Sequence, residues 1–559
     1  MIALGVLVGL CVVSLLCVVV VGGYSFFNMR QGTTVADTDA DSGPNAGRPE
    51  SSQPSASRGD NELVLPGTDP PTLDPALASD ATSANYIVEI FSGLVALDPN
   101  LEIVPDLAEE WEVSDDGMTY TFTLREDATF ADGAAITAED FKYSIERACD
   151  PETLSPVADT YLGDIVGCRE KLQGQASEVA GVEVVDEQTL AITIDEPKVY
   201  FLYKLTYPTA FVVDQETIER EGRLWASNNP NGSGPFVLEN YSFGEEMVLV
   251  PNTRFYGDPK PSVERVRFVL AGGSGMTMYE TDELDVIGVG PADLDRVLDP
   301  SSPLNADLHE VESYSIGYIG LNAAQPPFDD PLVRQAFNMA IDKETLIEVV
   351  VQDIVSPAYD VVPPGIPGYE SEIEGLQFDV ERARQLLEES SYGSAEELPP
   401  ITLHVSGGGG ATGPEIEAIV EMWNQNLGVD VAIEQTEWAT FLFDLSQKPN
   451  PYQAYSVGWV ADYPDPQNFL DVLFHCESQE NKSGYCNPEV DELLEAARVE
   501  QDEAERMELY RQAEAIIVEE AAWVPLWFNQ GYVLVKPWVQ NYLFPPAIIS
   551  KLKYVEIEQ

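Results

Sequence analysis

Positive charge is what this chain has least of: across 559 residues, 29 Lys and Arg stand against 96 Asp and Glu, a formal net charge of −67. Such a surface repels polyanions, which excludes nucleic acid and anionic lipid as partners. The same charge would attract cationic ligands, but its spread over the whole chain reads first as solvation or high-salt adaptation. Histidine is nearly missing. His309, His404 and His475 are scattered, and no C-x-x-C occurs, so neither a metal site nor any other cofactor is expected. No internal repeat of solenoid length is visible. The stretch "GSGPF" (Gly232–Phe236) lacks the spacing of a nucleophile elbow, and its Pro235 forbids the usual turn into a helix. No residue constellation here points to an enzyme.

Cysteine is sparse as well, with six residues. Cys11 and Cys17 lie in residues 1–27, which carry no charged side chain and are long enough to span a bilayer as an uncleaved anchor. Neither has the small residue before it that a lipoprotein signal needs. Arg30 lies on the C-terminal side and alone would make that side cytoplasmic. The remaining cysteines argue otherwise: Cys149 and Cys168, and Cys476 and Cys486, form two local pairs, which suits disulfides in an oxidising compartment. The body is therefore placed outside the cytoplasm. Residues 28–61, rich in Ser, Pro, Gly, Asp and Ala, read as a flexible tether.

What the chain does have is material for cores. Apolar residues make up 44%, with 24 Tyr and 21 Phe, and the length suggests two to four domains. Order should begin at "ELVLPG" (Glu62–Gly67). "TYTFTLR" (Thr119–Arg125) alternates like a half-buried strand, and Val182–Ile194 reads as a hairpin. Thr137 should cap a helix running to Ala148. Asp330–Val350 reads as one long helix with Pro331 in its first turn, and Asp379–Ser390 and Asn487–Glu500 as two more. The fold class is mixed α/β without strict alternation. "GGGATG" (Gly408–Gly413) is formally G-x-G-x-x-G between a strand and a helix. Runs of Gly match that pattern easily, and we read a βα turn there.

One stretch, "GWVADYPDPQNF" (Gly458–Phe469), sets a lone acid, Asp462, inside an aromatic run and just before Pro464 and Pro466. It is either a turn acid or the counter-charge for a bound cation. Pro105–Pro151, "PDLAEEWEVSDDGMTYTFTLREDATFADGAAITAEDFKYSIERACDP", closely resembles the signature region of family 5 extracytoplasmic solute-binding proteins, the peptide- and nickel-binding receptors of ABC importers. The similarity continues in order through "GSGPFVLENY", "PNTRFYGDPKP", "GYIGLNAAQPPFDDPLVRQAFNMAIDKETLI", "GWVADYPDPQNFLDVLF" and "WVPLWFNQGYVLVKPWVQNY". Within the family it is most similar to the oligopeptide-binding branch.

The resemblance implies a two-lobed, periplasmic-binding-protein-like fold of type II with an inserted domain. The first lobe would comprise 62–98, 205–312 and 529–559, the inserted domain 99–204, and the second lobe 313–528, with hinge crossings near 313 and 529. It implies a monomeric receptor that captures oligopeptides between its lobes and hands them to a permease. Asp462 would meet the peptide's α-ammonium. Trp459, Trp438, Tyr161 and Tyr318 would line the cleft, and Ser233 and Gly234 would lend backbone groups near the hinge. Where relatives carry an Arg that receives a ligand carboxylate, this chain has Ser456. The alternatives are the same fold binding an oligosaccharide or a nickel chelate, or a surface protein for signalling or chaperone-like binding.

Overall fold

The structure is a computed structural model that describes Gly59 and residues 61–558. The expected anchor and nearly all of the tether lie outside the described residues. Among the described residues no helix is long and apolar enough to cross a membrane.

Three sheets organise the chain. In the first, Glu62–Pro66 runs parallel to Arg265–Val269, followed by antiparallel Glu246–Pro251 and Phe236–Ser242. The helix Ala81–Ile90 covers it, its first turn fixed by the Asp80 carboxylate accepting from Ser83 N at 3.0 Å. The core beneath is drawn from three distant stretches of chain, with Ile87, Phe91, Trp225, Val266 and Val555 all buried. The second sheet is antiparallel, in the order Ala108–Val113, Thr119–Leu124, Thr189–Thr193, Val182–Asp186. Thr119–Leu124 buries every second residue, as its alternation predicts. The helix Ala138–Ala148 packs on this sheet and starts from a capping box between Thr137 and Asp140.

The third sheet has seven strands, in the order Val286–Gly288, Trp523–Val535, Leu308–Leu321, Ala454–Val460, Ile401–Ser406, Val431–Thr436, with Val355–Pro357 also paired to Trp523–Val535. Its two long strands, Leu308–Leu321 and Trp523–Val535, are antiparallel neighbours whose ladder loses register between Glu312 and Ile316. At that break Asn529 Nδ2 donates to Ser315 Oγ at 2.9 Å. Val286–Gly288, expected in the first lobe, hydrogen-bonds to the far end of the same strand pair. The sheet is therefore continuous through the region where lobe crossings are expected. Ile401–Ser406 and Val431–Thr436 are parallel and joined through the helix Pro414–Leu427, the usual crossover for parallel strands.

One sequence expectation is corrected. The single helix over Asp330–Val350 is two: Pro331–Met339, and a second starting at Lys343–Leu346 and continuing as a wider turn through Ile347–Val351. Asp342 causes the break, because its carboxylate accepts from Thr345 N at 3.0 Å and so caps a new helix instead of continuing the old one. The cysteines pair as expected, Cys149 with Cys168 and Cys476 with Cys486.

Candidate functional site

The central strand Ala454–Val460 lies between Leu308–Leu321 and Ile401–Ser406 and ends by turning into the proline-rich stretch. Ala461 N still reaches Tyr314 O at 2.8 Å, so the chain leaves the sheet only at Asp462. Beyond it, Pro466–Asn468 forms one tight turn, capped by Asp465, whose carboxylate accepts from Gln467 N at 2.9 Å. Arg506 Nη1 holds both Asp465 oxygens, at 3.0 and 2.8 Å, in a buried ion pair. The acid at 465, not the one at 462, is the turn acid.

Asp462 is bound differently. Asn468, fully buried, folds back so that its Oδ1 accepts from Asp462 N at 3.0 Å and from Trp459 Nε1 at 3.1 Å, while its Nδ2 donates to Asp462 Oδ2 at 3.0 Å. Tyr161, from the helix Ala158–Leu162, donates its hydroxyl to the same Oδ2. Among the described residues no basic side chain forms an ion pair with Asp462. Removal from water pushes its carboxyl up to about 7, against the Tyr161 and Asn468 hydrogen bonds that pull it down, and Glu480 pushes it further up. The Tyr161 phenol is held well above its ordinary value, first by burial and then by Asp462.

These groups wall a cavity of about 260 Å³. Tyr161 and Tyr207 stack on one side, with ring centroids 3.8 Å apart and planes 5° from parallel. Trp438, at the start of the helix Trp438–Ser446, and Trp459 supply half-buried indole faces. Tyr318 also borders the cavity, but it is only 3% exposed and its ring stacks on Trp523 at 3.4 Å, so most of it belongs to the core. Five of the seven expected ligand contacts thus converge: Asp462, Trp459, Trp438, Tyr161 and Tyr318.

Ser233 and Gly234 do not line this cavity. Ser233 is fully buried and its Oγ accepts from Ser92 N at 3.0 Å, while Gly234 N donates to Ile90 O at 2.8 Å. The glycines let this segment lie against the end of the helix Ala81–Ile90, since a Cβ at Gly232 would stand 2.0 Å from Ile90 O. Ser456 lines a separate hollow of about 280 Å³ together with the glycine loop 407–413 and Trp527. That loop is laced to Gln435, which accepts from Gly409 N at 2.9 Å and donates to Gly410 O at 3.2 Å. Glu415 and Glu417 occupy the first turn of the following helix, where a dinucleotide phosphate would be repelled.

Sequence reasoning missed Asn468, Tyr207, Asp80, Glu480 and Lys482, all but the first of which line the cavity. The Cys476–Cys486 disulfide closes the short loop that carries Glu480 and Lys482 to the wall. Only Asn468 carried a usable signal, as the amide nearest Asp462 in the stretch already singled out.

Residues 102–481 match bacterial extracellular solute-binding proteins, family 5. The chain belongs to this family. It is 31% identical over 485 residues to the periplasmic murein peptide-binding protein MppA of Escherichia coli, covering 85% of this chain and 88% of that one. Among solved structures, Haemophilus influenzae OppA in complex with RPPGFSPFR is similar with a TM-score of 0.81 at 25% identity, covering 90% of this chain and all of that one. The unliganded open form of MppA gives a TM-score of 0.64 at 29% identity, with 89% of this chain and 98% of that one covered. The fold is that of type II periplasmic binding proteins, and this chain's arrangement is nearer to a peptide complex than to an open empty form.

Proposed function

We propose that the protein is the peptide-capturing receptor of an ABC importer, with the α-ammonium of a peptide bound to Asp462. The observation that carries this reading is a carboxylate at the wall of an aromatic cavity, held by two neutral donors, Tyr161 and Asn468, and given no cation. A carboxylate held largely out of water without a counter-charge is costly. An ammonium entering the cavity offsets that cost and fixes the peptide's register. The indole and phenol faces of Trp438, Trp459 and Tyr161 then meet side chains of varied shape through area alone. The peptides carried by relatives such as the Haemophilus OppA support the ligand class. In this reading the lobes comprise 62–98, 205–312 and 529–559 on one side and 313–528 on the other, with 99–204 inserted. Closure is about the register break at Glu312–Ile316. Residues 1–27 tether the body outside the cell, where it delivers ligand to the permease.

The test is thermal unfolding of ligand-free protein with a pool of di- to pentapeptides, and with the same pool N-acetylated. Free-amine peptides at 100 times their Kd should stabilise by about 2.7 kcal/mol. Acetylated peptides should not, and Asp462→Ala should abolish the shift. Equal stabilisation by both pools would sink the ammonium reading, and no shift with either would sink the peptide reading.

A further inference from the structure

The cavity holds more negative charge than one ammonium needs. Besides Asp462 it is lined by Glu480 and Asp80, against a single basic residue, Lys482. Glu480 is 6% exposed and Asp80 8%. Each has one carboxylate oxygen already engaged: Glu480 Oε2 faces Lys482 Nζ at 3.4 Å, and Asp80 Oδ1 caps the helix Ala81–Ile90. The other oxygens, Glu480 Oε1 and Asp80 Oδ2, are buried and have no hydrogen-bond partner. Lys482 is not free to serve both, because it also donates to Gln479 O at 2.9 Å. Tyr207, which lines the same cavity, is held well above its ordinary phenol value, first by burial and then by Asp462, Asp80 and Glu480 in that order. A buried acceptor left unpaired costs free energy that a ligand's donor recovers. A negative cavity with apolar walls also concentrates cations.

We propose that Glu480, together with Asp80, forms a second cation-recognising subsite, so that peptides with a lysine or arginine side chain close to the free N-terminus bind in preference to neutral ones. This rests on the peptide reading above and adds to it a side-chain preference. The basic side chain would donate to Glu480 Oε1 and Asp80 Oδ2 while the α-ammonium lies on Asp462. The extra charge is a specificity device, since a neutral side chain leaves both oxygens unpaired.

The experiment is calorimetric titration of the full-length protein with Lys-Ala-Ala and Ala-Lys-Ala, the same peptides acetylated on the lysine Nε, and Ala-Ala-Ala. Acetylation keeps the bulk and removes the charge. At least one lysine peptide should bind about tenfold or more tightly than its acetylated twin, given what close charge pairs contribute when desolvated. In Glu480→Gln that ratio should fall to about 3 or less, with a smaller fall in Asp80→Asn, which keeps the helix cap. Equal affinity of charged and acetylated peptides for the unaltered protein would overturn the subsite while leaving peptide binding in place. A ratio that survives in both variants would overturn its assignment to these acids. If no peptide binds, Ala-Ala-Ala included, the peptide reading itself fails and this one with it.

Discussion

Replacing Asp462 by Asn should make the ligand-free protein more stable at neutral pH while removing its capacity for amines. The carboxyl is raised from 3.8 to about 7 in the folded chain, chiefly by loss of water. Below pH 3.8 both folded and unfolded chains carry the proton, and no penalty exists. Between 3.8 and 7 the folded state keeps a proton that the unfolded state has released, so stability is lost as pH rises through that window. Above pH 7 the full penalty is present, about three pH units at 1.36 kcal/mol each, or about 4 kcal/mol. Asparagine retains an oxygen to accept from Tyr161 and from Asn468 Nδ2, as Asp462 does now, and carries no charge to desolvate. Its extra amide hydrogens need a partner, which returns about 1 kcal/mol of the gain. Urea unfolding of both proteins at pH 5, 6, 7 and 8 reads the difference directly. The variant should be more stable by about 2–3 kcal/mol at pH 8, and its advantage should shrink by about 2 kcal/mol from pH 7 to pH 5, a little under two units of proton linkage because the carboxyl is half protonated at pH 7. Parallel pH curves for the two proteins, or a less stable variant at pH 8, would refute the account of Asp462 as a part-buried, uncompensated charge.

Amine binding needs Asp462 ionised and the ligand protonated. With the carboxyl at about 7 and a peptide α-ammonium near 8, affinity should fall about tenfold per pH unit below 7 and again above 8, measured by titration calorimetry across that range. Asn468→Ala removes three hydrogen bonds at once. It should cost about 2–3 kcal/mol in a denaturant titration and change the emission of Trp459, whose indole N–H loses its acceptor. The two disulfides, whose cysteines stand 19 and 10 positions apart, should each contribute about 2–3 kcal/mol. Changing Cys476 and Cys486 to Ser should in addition weaken selectivity among peptides, because that loop carries Glu480 and Lys482. Changing Cys149 and Cys168 should lower stability alone. A matched loss of selectivity in both variants would separate the loop from the site.

Features written locally in the chain were legible. Thr119–Leu124 shows its strand in strict alternation, and Thr137 with Asp140 shows its helix start in a spacing of three. Asp462 stood out because an acid between aromatics is costly unless it has work. What the sequence hid is whatever depends on distant pairing. Asp342 looked like one more acid in a helix, and only its bond to Thr345 N reveals a second cap. Glu480 is one acid among 96, and nothing local distinguishes an acid with a buried, unpaired oxygen from one in water. Ser233 and Gly234 were assigned by resemblance, and their neighbourhood is set by Ile90, about 140 residues earlier in the chain.

The same desolvation that makes Asp462 unstable gives it a means of coupling occupancy to closure. Tyr161 comes from the expected inserted domain and Asp462 from the expected second lobe, so their hydrogen bond joins parts that the proposed hinge motion separates. In the closed, empty state at pH 8 the carboxylate either stays desolvated or takes up a proton against the prevailing pH, at a cost of about 4 kcal/mol. A ligand without a cation leaves the cost in place however well its side chains fit the indoles. A ligand ammonium cancels it, and only then does the contact area of Trp438, Trp459 and the tyrosine pair act without opposition. Tyr161 and Asn468 are neutral donors, and that neutrality is what the device requires. An arginine in either place would satisfy Asp462 permanently, and the lobes would close on nothing.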